Sequence, residues 1–101
     1  MSQKFFWVDL TYVRPLEEVD ILVEAHVEFL KDQYAKGYFI FSRPKEPREG
    51  GVILARMDNC EMLDAVLEKD PFNKAGLAHY SVTEFFPRMC AAGFQPFVET
   101  P

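Results

Sequence analysis

Between Lys4 and Tyr12 the chain reads KFFWVDLTY, a run dense in aromatic and β-branched residues that predicts a first strand. Alternation puts Phe6, Val8, Leu10 and Tyr12 on one side and Phe5, Trp7, Asp9 and Thr11 on the other. Both faces therefore begin apolar, which is unusual for an antiparallel strand with one face in water. After Pro15 the period lengthens to that of a helix of about five turns, with Glu17, Glu18 and Asp20 at the positive end of its dipole. Its apolar stripe is Val19, Leu22, Val23, Phe29, Leu30 and Tyr34. His26 falls on that stripe, three and four residues from its neighbours. Gly37 supplies a left-handed stop.

Tyr38 to Ser42 (YFIFS) and Gly51 to Arg56 (GVILAR) predict two further strands. The short connection between them, Arg43-Pro44-Lys45-Glu46-Pro47-Arg48-Glu49-Gly50, predicts a hairpin with a polar, proline-restricted tip. Asp58 and Glu61 form an Asp-x-x-Glu capping pattern that opens a helix with Met62, Leu63, Val66 and Leu67 on its buried side. Asp70 followed by Pro71 and Phe72 reads as an N-cap with proline at the first position of a short helical start, which Gly76 ends. Ala78 to Phe86 (AHYSVTEFF) predicts the last strand, with Tyr80, Val82, Glu84 and Phe86 on one side.

The predicted order, β-α-β-β-α-β, is that of an α+β, ferredoxin-like domain. Two helices cover only one face of a four-stranded sheet. The uncovered face is richer in aromatics than a soluble monomer usually tolerates, so a homodimer is expected in which two sheets face each other as a dimeric α+β barrel. Residues 1–87 make the domain, and the apolar segment 88–101 is expected to pack on its own domain or on the partner. Composition agrees: 101 residues suit one core, and ten Phe are many for so small an interior.

Eleven basic against sixteen acidic residues give a net charge of -5, opposite to the footprint of a nucleic-acid binder. No stretch approaches the roughly 20 apolar residues that span a bilayer. Cys60 and Cys90 form no CxxC motif, the first residues carry no signal-peptide pattern, and a cytoplasmic setting is expected.

Two residues draw attention chemically. His26 can exchange a proton near neutral pH, or it is a core histidine satisfied by a backbone carbonyl. Asp70 caps a helix. A carboxylate has room to do that and also to accept the ring N–H of a histidine, fixing its tautomer as in an oriented base. A metal is not expected, because His26 and His79 stand on different elements and no HxxxH, HxxE or cysteine cluster completes a shell. No GxGxxG or P-loop pattern occurs, so no cofactor is expected either. Arg43, Lys45 and Arg48 form either a solvated loop or an anion hold at a pocket mouth, with Ser42 as a nearby donor.

His26 with Leu30, Gly37, Ser42 with Pro44, Gly50-Gly51-Val52-Ile53-Leu54, Asp70-Pro71-Phe72 with Gly76, and Glu84-Phe85 together resemble the YCII-related (YciI-like) family, from about Phe5 to Pro87. The resemblance implies the ferredoxin-like fold, a dimeric barrel, and a site built on a histidine and an aspartate, which map onto His26 and Asp70. The family is itself similar to a dehydrochlorinase acting on a chlorinated hydroxyhydroquinone and, more distantly, to muconolactone isomerase-like proteins. Arg43 stands where members usually carry a glycine.

The expected function is that of a small, cofactor-independent enzyme of lyase, isomerase or dehydrochlorinase type. In it a His26–Asp70 dyad does general acid/base chemistry on a cyclic or aromatic, anionic small molecule. Ser42, Arg43 and Arg48 would hold oxygen atoms, and Phe72 would wall the ring. The alternative is a non-catalytic metabolite-binding or stress-related accessory dimer.

Overall fold

The structure, a computed structural model, describes residues 4–93. Its elements are β1 (Lys4–Tyr12), α1 (Leu16–Ala35), β2 (Phe39–Pro44), β3 (Gly50–Met57), α2 (Cys60–Leu67), α3 (Pro71–Lys74) and β4 (Ala78–Phe85). The four strands form one antiparallel sheet in the order β2-β3-β1-β4, the ferredoxin-like arrangement, with β1 paired to β3 on one side and β4 on the other.

Alternation sorts the sheet as its pattern requires. Phe6, Val8 and Leu10 of β1, Ile53, Ala55 and Met57 of β3, and Phe39 of β2 pack with Phe29, Leu63, Val66 and Leu67 of the helices. Full burial of each large apolar side chain contributes about 1.5–3 kcal/mol, so this layer dominates the stability of the fold. A smaller cluster of Val19, Phe72 and Leu77 pins α3 against the first half of α1. Trp7, in register with Leu54 and Thr83, belongs to the opposite face, where it is 37% exposed and meets the half-exposed ring of Phe41 edge-on. Phe5 lies on that face too, buried beside Phe85.

An irregularity between Phe39 and Phe41 interrupts the pairing of β2 with β3. Simple alternation would place Phe39, Phe41 and Arg43 together. With one extra residue in β2, Phe39, Ser42 and Pro44 face the helices while Phe41 and Arg43 share register with the open face. The bulge thus turns a serine toward the helices.

Local chemistry departs from expectation in three places. Asn59, not Asp58, caps α2, its side chain accepting from the Met62 N–H at 2.8 Å, because the helix begins one residue later than the Asp58–Glu61 pattern implies. Tyr34 and Met62 are exposed, and Gln33 is buried in place of Tyr34 at the last turn of α1. Phe86 lies beyond β4 and is exposed. Gly37 and Gly76 take the left-handed φ values of 77° and 67° expected of helix-ending glycines. Residues 88–93 of the expected tail are exposed, and 94–101 lie outside the described residues. Among the described residues no helix is long and apolar enough to cross a membrane.

Candidate functional site

The site grows from the junction of α2 and α3. Asp70 ends the turn after α2 and caps α3, its Oδ1 accepting from the Phe72 N–H at 3.0 Å. Pro71 at the first helical position has no N–H to satisfy, so this one capping bond serves the start of the helix. Docking of α3 on α1 leaves Asp70 fully buried. An ionised carboxylate there costs several kcal/mol unless donors surround it. Three do: the Phe72 N–H, the Nδ1–H of His26 at 2.7 Å on Oδ1, and the Tyr80 hydroxyl at 2.5 Å on Oδ2.

His26 comes from α1 two turns after Val19, the residue that anchors α3. Its ring stacks on Phe72 with centroids 4.0 Å apart and planes within 8°, and Phe29 stands behind it at 6.3 Å. The carboxylate is acceptor-only, so the ring proton sits on Nδ1, and Nε2 is the nitrogen left for the cavity that His26 lines. The side chain of His26 is 15% exposed. Burial, the Asp70 charge and the hydrogen bond to Asp70 all push the Tyr80 hydroxyl well above its ordinary range, so Tyr80 remains a neutral donor.

The cavity is about 440 Å³, within the range of small-molecule sites, and is walled by Leu10, Tyr12, Val23, Leu30, Ile53 and Phe72. Its polar groups are few. His26 lies on one side, and Ser42 enters from β2, its hydroxyl hydrogen-bonded to that of Tyr34 on α1. Arg48 reaches the lining from the hairpin, with Nη2 2.6 Å from Asp20 of α1. That bond, foremost, holds the guanidinium in its charged form.

The three cations of the hairpin separate. Lys45 turns to the open face and pairs with Asp9 at 2.6 Å. Arg43 belongs to the cavity lining but shares register with Val52 and Asp9, the residues of that same open face. Arg48 alone of the three combines a place in the lining with an ion pair to α1. His79 is exposed and in register with Thr11, on the face opposite His26. Among the described residues no group of three or more His, Cys, Asp or Glu is placed to hold a metal ion.

Sequence reasoning missed Tyr80, Tyr34 and Asp20. The first had a signal: a phenol on the core-facing row of β4 needs a partner for its hydroxyl. The other two pairings depend on the approach of α1 to the hairpin, which no local pattern encodes.

The domain model of the YCII-related family matches residues 5–86, a span that includes every residue described above in the site. The chain belongs to the YCII-related family. No curated protein matches it. Among solved structures, 5-chloro-2-hydroxyhydroquinone dehydrochlorinase from Burkholderia phenoliruptrix, in complex with 2,5-dihydroxybenzoquinone, is similar with a TM-score of 0.72 and 20% identity. The match covers 84% of this chain and 95% of that one. At that identity the likeness is one of fold, and it places this YCII-related chain in the same α+β architecture as that enzyme.

Proposed function

We propose that this YCII-related protein is a cofactor-independent enzyme in which His26, oriented by Asp70, acts as general acid/base on a cyclic or aromatic anion. The observation that carries the reading is the 2.7 Å contact between Nδ1 of His26 and a buried carboxylate, which leaves Nε2 as the base facing a mostly apolar cavity. Nε2 takes a proton from a carbon beside a carbonyl, or from a phenol, and Asp70 stabilises the imidazolium that forms. Returning that proton to another atom of the ring completes an isomerisation. Loss of an anionic group instead, such as chloride, completes an elimination. Neither step has a net redox change.

Ser42 and Arg48 hold substrate oxygens in this reading. Arg48 has five N–H donors, so it can keep Asp20 and still bind an oxyanion. Arg43 adds positive potential at the rim, and Phe72 walls the ring. The dehydrochlorinase of like fold, solved with a dihydroxybenzoquinone, supports a chlorinated quinol as one substrate class to test.

A thermal-shift screen of phenolic acids, lactones and chlorinated quinols tests the reading. A ligand at about 100 times its Kd stabilises the fold by about 2.7 kcal/mol, which in a domain of this size raises Tm by roughly 10 °C or more. Anionic rings are expected to give that shift in the wild type and a much smaller one in Arg48→Ala. If no anionic ring stabilises the protein at millimolar concentration, the substrate class is wrong. A stabilising ligand that is never turned over would instead assign a binding module.

The same proposal includes a homodimer through the open sheet face. Trp7 and the 43%-exposed Phe41 form an aromatic patch there, with Leu54 between β1 and β2, and a two-fold copy would present the same patch in return. Light scattering is expected to give twice the chain mass of 11.7 kDa. A clean monomer at micromolar concentration would reject the assembly.

A further inference from the structure

We infer that Tyr80 is a positioning residue of the His26–Asp70 pair, acting through the carboxylate without reaching the cavity itself. The inference rests on the reading of that pair given above. The two oxygens of Asp70 are held by different parts of the chain: Oδ1 by the Phe72 N–H of its own cap, and Oδ2 by the Tyr80 hydroxyl of β4, 2.5 Å away. The terminal torsion of an aspartate is soft, so one bond from its own cap leaves the carboxylate plane free to rock. The second bond, from the rigid sheet, stops that rotation. With both in place Oδ1 stays aimed at Nδ1 of His26, and the imidazole keeps one tautomer.

Chain geometry makes this tie specific. Tyr80, on the edge strand β4, pairs with Leu10 of the central strand β1, and its ring packs against the main core, which limits the freedom of the hydroxyl to leave Asp70. Its raised pKa keeps the proton on the phenol that donates it. Among the described residues, no other hydrogen bond to Oδ2 is present, so removing the hydroxyl leaves a buried carboxylate oxygen without a donor.

The two histidines of the chain supply a test with an internal control. In protein labelled with 15N-histidine, two-bond proton–nitrogen spectra distinguish a protonated ring nitrogen from a bare one. In the wild type His26 is expected to show a protonated Nδ1 and a bare Nε2, while exposed His79 averages both tautomers. Tyr80→Phe is expected to remain folded by circular dichroism, to collapse the His26 pattern toward that of His79, and to lose the Nδ1–H resonance to solvent exchange. A folded Tyr80→Phe protein with His26 still locked would show that the hydroxyl is a structural tie only, and would overturn the inference. If Tyr80→Phe does not fold, 3-fluorotyrosine at position 80 keeps the ring and hydroxyl but makes a stronger donor. The His26 Nδ1–H resonance should then shift, and an unmoved resonance would overturn the inference equally. Averaged tautomers of His26 in the wild type would instead bring down the His26–Asp70 pairing and the function built on it.

Discussion

His26→Asn is expected to lower turnover of a substrate found for this cavity by about 10²–10⁴-fold while the protein stays folded, the range associated with loss of a general acid or base. The asparagine amide donates from nearly the place of Nδ1 and keeps a partner for Asp70, but it offers no basic nitrogen to the cavity. Substrate affinity should change far less than turnover, because Arg48 and Ser42 remain in the lining. The measurement is steady-state kinetics on variant and wild type with matched circular dichroism. Unchanged kcat in His26→Asn would remove the histidine from the chemistry. His26→Ala is a poorer test, since it deletes one of three donors to a buried carboxylate and adds about 1–3 kcal/mol of instability to any catalytic effect.

Gly50→Ala is expected to cost about 3–5 kcal/mol or to prevent folding. Gly50 pairs with Thr11 where β3 runs close against β1, and a Cβ there would stand 1.8 Å from the carbonyl oxygen of Leu10 and 2.8 Å from its carbon. Both are backbone atoms of the central strand β1, so relief requires β1 and β3 to part where β3 begins. Gly51→Ala, one residue on, meets only the Arg43 carbonyl oxygen at 3.2 Å and calls for a shift of a few tenths of an ångström. Urea unfolding should separate the two variants by at least about 2 kcal/mol. Equal midpoints would mean that the β1–β3 contact at Gly50 is looser than the structure has it. The consequence reaches the site, because Leu10, Gly50 and Gly51 all line the cavity.

Much of the candidate site is legible in the amino-acid sequence, and the reason is chemical economy. A histidine on the apolar stripe of α1 and an aspartate capping an Asp-Pro start each have an ordinary explanation. Their coincidence on one side of a ferredoxin-like order makes the pair a candidate. The contact at 2.7 Å shows that Asp70 both caps and pairs, dividing its lone pairs between the two tasks. The arginines are harder to place. Arg43, Lys45 and Arg48 look equivalent along the chain, yet Lys45 goes to Asp9 on the open face and Arg48 to Asp20 beside the cavity. Charge in a loop has no periodicity from which to read its direction.

The helix cap expected at Asp58 fails for a similar reason. Both Asp58 and Asn59 are good caps, and the choice between them follows from where β3 releases the chain, with Met57 still buried in the sheet.

Local rules therefore determined the element order, the two-sided apolarity of β1, the position of His26 on the inward stripe and the cap at Asp70. Each depends on spacing within one element, where backbone geometry sets the outcome. Tertiary structure alone decided that Ser42 faces the helices, because the bulge at Ile40 reverses the alternation that β2 would otherwise follow. It alone joined Tyr80 to Asp70 and Tyr34 to Ser42, and it divided the hairpin cations between two faces. Those pairings join residues of different elements, and the contacts that select them, above all the burial of Asp70 with its donors, exist only once the elements have packed.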